Sequence, residues 1–220
     1  EVLAGLAGDV AVVDVGGATT DVHSVVEVDP EDAVLSRQVV APTQLTRTVE
    51  GDLGMRWSAP STVDAGIALA VARRSERTEL TAAAQLRAAD PGFVPAESTD
   101  FVQDLRLAAV ACGAALRRPA GRQQVTLGAS GRVLQRTGKD LREVELLVGS
   151  GGVFRHGSPE AVDDVLRGCT GVEVPGGWLL PRAPHLVVDR AYVLAAGGLL
   201  ASAHPRVASA LLRRHLCPDG

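Results

Sequence analysis

An α/β fold with a helical insert is what this chain predicts, and three observations carry that expectation. Two apolar runs, Val10-Ala11-Val12-Val13-Asp14-Val15 and Val144-Glu145-Leu146-Leu147-Val148, each end in a glycine-rich turn. Between them, residues 61–118 hold apolar side chains at helical spacing, with one Asp90-Pro91-Gly92 breaker. After the second run the chain returns to helix-forming sequence that is punctuated by Ser158-Pro159 and His204-Pro205.

The elements follow in order. Asp9 to Val28 reads as a hairpin: a buried strand, a Gly16-Gly17-Ala18-Thr19-Thr20 turn, and a β-rich return from Asp21. Pro30-Glu31-Asp32 marks a further turn. Ala33 to Val40 and Leu45 to Val49 extend a β meander that Gly51 and Gly54 close. Ser61 to Ala89 and Thr99 to Arg118 predict two or three helices, expected to pack on themselves as a small subdomain that ends at Pro119-Ala120-Gly121. Val125 to Leu127 and Val133-Leu134 flank a Gly128-to-Gly131 turn, and the second apolar strand then runs into Gly149-Ser150-Gly151-Gly152. Ser158 has the chemistry of an N-cap and Pro159 suits the first helical position. Leu186 to Val188 is a last strand, Asp189 opens an apolar helix to about Ala203, and Arg206 to Leu216 forms a final amphipathic helix.

Composition narrows the function classes. With 46% hydrophobic residues the chain holds a packed core rather than wholesale disorder, and with only 3% aromatics that core rests on Val, Leu, Ala and close glycine contacts. The net charge of −4 and the scatter of basic residues argue against a nucleic-acid partner. Cys112, Cys169 and Cys217 lie far apart without metal-ligand spacing, so neither a disulfide framework nor a zinc site is indicated, and a cytoplasmic location is expected. The longest apolar run, Ala191 to Ala203, falls short of the roughly 20 residues a bilayer span needs, so no membrane partner is expected. The chain opens at Glu1 with its first strand close behind, which suggests a piece of something larger.

Two constellations carry chemistry. In Asp14-Val15-Gly16-Gly17-Ala18-Thr19-Thr20-Asp21, consecutive small residues let backbone amides approach phosphate oxygens, the Thr hydroxyls can donate, and the Asp14 carboxylate can hold a Mg²⁺-bound water or orient an attacking one. The plain alternative is a hairpin turn capped by its threonines. In Gly149-Ser150-Gly151-Gly152 a strand-to-helix turn can receive phosphates or a sugar, or simply pack tightly; it lacks the third glycine of a dinucleotide fingerprint.

The order of these parts resembles the acetate and sugar kinase, Hsp70 and actin ATPase superfamily, whose second lobe carries a D-x-G-G-x-T phosphate hairpin, a helical insert, an adenosine turn and a closing D-x-A-x-x-x-A-x-G helix. The matching segments are Asp14 to Asp21, Ser61 to Arg118, Val148 to Gly152, and Asp189-Arg190-Ala191 through Ala195-Ala196-Gly197. Within it the wording is similar to the glutamate mutase L family, also called MutL or GlmL. The similar segments are Val13 to Ser24, Thr48 to Arg56, Gly138-Lys139-Asp140-Leu141, and Gly149 to His156.

That resemblance implies an actin-like (ribonuclease H-like) ATPase lobe with a mixed β-sheet. It covers 1–220 with the helical insert at 61–118, and it is the second lobe of two, because no D-x-G-x-T hairpin precedes Asp14. It further implies ATP or ADP with Mg²⁺ as cofactors, and an adenosylcobalamin-dependent aminoacid mutase as the partner that the protein chaperones or reactivates. On this view Asp14 is the catalytic carboxylate and contacts Mg²⁺ through water. Gly16, Gly17, Ala18 and Thr19 cradle the β- and γ-phosphates with Thr20 and Asp21 behind them, and Gly149, Ser150, Gly151 and Gly152 line the ribose and α-phosphate side. Ala18 stands where the superfamily usually has Gly, and Ser150-Gly151 inverts its usual order.

His23, the Glu50-Asp52-Arg56 loop and Arg155-His156 are further polar candidates beside ordinary structural readings. A small-molecule kinase of the same superfamily and a non-catalytic binding module are the competing classes, and homo-oligomerisation stays open.

Overall fold

The computed structural model describes residues 1–27, 44–128 and 131–217. In chain order the elements are α1 (Ala4–Ala7), β1 (Val10–Val15), β2 (Thr20–Val25), β3 (Leu45–Glu50), α2 (Ala59–Ala68), a 3₁₀ turn at Arg74–Glu76, α3 (Arg77–Ala89), α4 (Ser98–Arg117), β4 (Arg122–Gly128) and β5 (Gly131–Thr137). They continue with β6 (Leu146–Ser150), α5 (Gly152–His156), α6 (Pro159–Arg167), β7 (His185–Val188), α7 (Val193–Leu200) and α8 (Pro205–Leu216). The strand expected over 33–40 lies outside the described residues.

A mixed five-stranded sheet runs β3-β2-β1-β6-β7. Connection length sets the strand directions. The four residues between β1 and β2 permit only an antiparallel hairpin, in register Val15↔Thr20 and Asp14↔Asp21. The path from β1 to β6 is long enough to cross over, so β6 lies parallel to β1 with Asp14 opposite Ser150, and β7 continues parallel to β6. The meander is therefore present as β1-β2-β3, but the second β region divides: β4 and β5 form their own two-stranded ribbon, and β6 alone joins the sheet.

Both faces of β1 and β6 are covered, which is why their sequences read as continuous apolar runs. Ala11, Val13, Val15 and Val22 pack on one face against Val63, Leu107, Ala111 and Leu116 from the helical segment. Val10, Leu146 and Val148 pack on the other against Val193, Leu212 and Leu216 of the C-terminal helices. The helices of 61–118 pack on one another and also share this core with the sheet. α4 presents Leu107, Ala108, Ala111 and Ala115 to a core shared with the sheet, and each Leu-sized side chain so buried contributes about 1.5–3 kcal/mol.

Local chemistry sets the helix ends. Ser158 caps α6 as expected, its Oγ accepting from the Ala161 amide at 3.3 Å with Pro159 in the first turn. The apolar helix expected from Asp189 starts later, at Val193, because Tyr192 sits in the left-handed region (φ +52°) and interrupts it. Asp189 is instead its cap: the buried carboxylate accepts from the amides of Val193 at 2.8 Å and Leu194 at 3.0 Å. Among the described residues no helix is long and apolar enough to cross a membrane.

Candidate functional site

The site begins where β1 ends. Gly16 donates its amide to the Thr19 carbonyl at 2.9 Å and closes a tight turn. The next three carbonyls are taken up by a single loop: the Met55 amide donates to Gly16 at 3.0 Å, the Arg56 amide to Gly17 at 2.7 Å, and the Ser58 hydroxyl to Ala18 at 2.6 Å. In a trans peptide the N–H points opposite to the C=O. Fixing those carbonyls on the 55–58 loop therefore aims the amides of Gly17, Ala18 and Thr19 away from it, an arrangement of successive amides that can receive an anion. Gly54 is obligatory in that loop, since a Cβ there would stand 2.6 Å from the Gly17 oxygen and the Ala18 carbonyl carbon. The Trp57 indole, 64% exposed, lies over Gly17.

Thr19 is half-buried at the turn, whereas Thr20 turns into the core: its hydroxyl is buried and without a hydrogen-bond partner in the structure. Asp14 and Asp21 share the opposite sheet face, where residues paired across an antiparallel ladder project together. Arg47 donates to Asp21 at 2.7 Å. Asp14 is exposed at the strand end, yet partial burial pushes its carboxyl above the ordinary 3.8. Ser150 opposes that rise through a hydrogen bond, and the Asp21 and Asp189 carboxylates add to it. His23, two pairs further along, is held below 6.5, chiefly by burial and then by the Arg47 charge, so it is neutral at physiological pH.

The second turn meets the first directly. Gly149 and Ser150 belong to β6 itself, and the turn reduces to Gly151 at φ +112°. A Cβ on Gly151 would collide with the Val15 carbonyl, so only glycine lets β6 leave the sheet this close to β1. Gly152 then starts α5.

Between these turns and the helical segment lies a groove of about 820 Å³. Gly16, Gly17 and Arg56 line one end, Gly152, Val153 and His156 one wall, and Phe93, Val94, Phe101 and Leu105 the other. A buried ion cluster stands behind that second wall. Asp104 holds both Arg87 and Arg56, and each guanidinium lies over the Phe93 ring, at 4.8 and 6.0 Å from its centroid. Its lining is largely apolar, which suits the flat apolar part of a ligand, and it reaches Gly16 and Gly17 of the first turn but not Asp14, Ala18 or Thr19.

The remaining sequence candidates have structural partners. Glu50 and Asp52 bind Arg118, which ties the end of α4 to the loop that supports the first turn and holds the Asp52 carboxyl below its usual range. Arg155 lies over the Tyr192 ring at 4.5 Å, while His156 faces the groove. Sequence reasoning missed Phe93, Phe101, Asp104, Trp57 and Ser58. A signal was available: of only three phenylalanines, Phe93 and Phe101 line the groove and Phe154 packs behind Gly149. Among the described residues no three His, Cys, Asp or Glu side chains gather as a metal site.

The model of the family described as MutL protein matches residues 1–216. Protein MutL of Clostridium tetanomorphum is 32% identical over 211 residues, which cover 95% of this chain and 45% of that protein. The chain thus spans under half the length of this relative.

Proposed function

The chain belongs to the MutL protein family, and we propose that it is the nucleotide-binding C-terminal lobe of an actin-like ATPase that serves an adenosylcobalamin-dependent aminoacid mutase as chaperone or reactivating factor. The observation that carries this reading is the turn at residues 16–19, where the 55–58 loop takes the carbonyls of Gly16, Gly17 and Ala18 and so turns the amides of Gly17, Ala18 and Thr19 the other way. ATP or ADP runs out of the groove past the turn, with its phosphates outside it on the amides of Gly17, Ala18 and Thr19 beside Asp14, its ribose beside Gly151 and Gly152, and its base in the groove against Phe93 and Phe101.

A metal would fit this site only in one form. Asp14 and its neighbour Asp21 offer carboxylate oxygens, and the absence of a larger ligand cluster among the described residues suits a hydrated Mg²⁺ carried by the phosphates rather than a protein cage. When bound, the ion would neutralise phosphate charge. The chain's own residues do the rest. Asp14 orients and accepts a proton from the attacking water, the turn's amides hold the γ-phosphate in place, and the Phe93 wall fixes the base. Asp14's raised affinity for a proton suits such a base.

In a two-lobed protein this groove is one half of the cleft. The isolated chain therefore binds Mg-ATP weakly and turns it over negligibly, and phosphate release near that of a full-length relative would contradict this. The decisive experiment is calorimetric titration of the full-length protein with Mg-ATP and Mg-ADP, with and without the mutase. Asp14→Ala is expected to keep nucleotide and mutase binding while ATP hydrolysis falls by about 10²-fold or more. Inert titrations with every ligand would overturn the reading.

A further inference from the structure

Away from the groove, two thiols meet inside the core. Cys112 on α4 and Cys169, in the turn after α6, are both buried. The Cys169 thiol reaches the Cys112 Sγ at 3.3 Å, with the Val165 carbonyl as its other acceptor at 3.4 Å. Two further features distinguish this pair from packing alone. Arg117, on the same helix as Cys112, is only 8% exposed, and its Nε has no hydrogen-bond partner in the structure although Nη1 donates to the Gly113 carbonyl. Contact with the Cys169 thiol and burial hold the Cys112 thiol well above its usual range, and the Arg117 charge opposes that rise. Cys169 also lines a second groove, of about 600 Å³, between α3, α4 and α6, whereas Cys112 stands behind it.

We propose that Cys112 and Cys169 form an oxidisable dithiol, closed to an intramolecular disulfide by a hydroperoxide that enters through this second groove. The Cys169 sulfur attacks one peroxide oxygen, the O–O bond breaks, and its thiol proton leaves with the departing hydroxide as water. The Cys112 sulfur then attacks the resulting sulfenic sulfur. Its S–O bond breaks, hydroxide leaves and takes the Cys112 proton as a second water, and the S–S bond forms. Two thiols and one hydrogen peroxide give one disulfide and two waters, the sulfurs losing the two electrons that the peroxide gains.

The bond has a structural consequence. Cys112 belongs to the helix that carries Phe101 and Leu105, and Cys169 closes the helix that follows His156 to Ser158. Oxidation therefore ties together the helices behind the two walls of the first groove.

Thiol counting on the intact 220-residue chain tests this. After equimolar hydrogen peroxide, quenching and denaturation, reactive thiols fall from three to one, dithiothreitol restores them, and peptide mapping finds Cys112 joined to Cys169. Cys217→Ser loses both of its remaining thiols, Cys169→Ala keeps both of its own at the same dose, and Cys112→Ala stops at a sulfenic acid on Cys169 that dimedone traps. Three surviving thiols, a sulfinic acid at Cys169 without a crosslink, or a bond through Cys217 overturns the proposal. No nucleotide enters this measurement, so its failure is distinguishable from failure of the nucleotide reading.

Discussion

At the scale of single residues, the side chains around the sheet end differ in what water and neighbouring charge do to them, and pH should separate them. His23 is held below its ordinary 6.5, so the unfolded chain binds its proton more readily. Stability is complete above pH 6.5 and declines as pH falls toward the folded value, and His23→Gln should flatten that decline in urea midpoints measured across the window. Asp14 has the opposite sign. Its folded carboxyl holds a proton more tightly than 3.8, so the charged form costs stability at neutral pH. Asp14→Asn should unfold at higher urea than the parent at pH 7, with the gain vanishing below pH 3.8, although water at this exposed site tempers its size. Gly151→Ala should destabilise by at least about 1–3 kcal/mol, because φ +112° is strained for any L side chain and the Val15 carbonyl occupies the space of its Cβ.

Elements depend on a few buried polar anchors. Asp189 is 2% exposed and satisfies two α7 amides, so Asp189→Ala should cost about 0.5–2 kcal/mol, read from chemical denaturation, and increase hydrogen exchange in α7 without melting the sheet. The α3–α4 pair rests on Asp104. Removing that carboxylate leaves the fully buried Arg87 without its counter-charge, and Asp104→Ala should lose about 3–5 kcal/mol. On the nucleotide reading, the milder Asp104→Asn should also weaken nucleotide affinity, since Arg56 and Phe93 depend on the same group.

For the whole molecule, the organising fact is that one turn is gripped by a loop 40 residues away, and that loop is in turn tied through Arg118 to the end of α4. The first turn and the end of α4 are thereby joined through one loop. On the outer surface α7 exposes Leu199 at 84% and packs mainly through Val193 and Gly197. Leu199→Glu should change the stability of this chain by under about 0.5 kcal/mol in urea unfolding.

Local sequence determined what local physics controls. The four-residue hairpin link, the glycine that ends β6, the Ser158 cap and the helices flanking Asp90-Pro91-Gly92 are consequences of neighbours within a few residues, and they were legible for that reason. So was the placement of Asp14 near the end of β1, just before the Gly16-Gly17 turn. What tertiary structure decided is everything that depends on distant partners. Only packing brings the 55–58 loop onto the turn, sets Phe93 and Phe101 across from His156, spreads the helical segment over the sheet, and places Cys112 against Cys169, 57 residues apart. Burial is a property of the assembled core, so no window of sequence contains it.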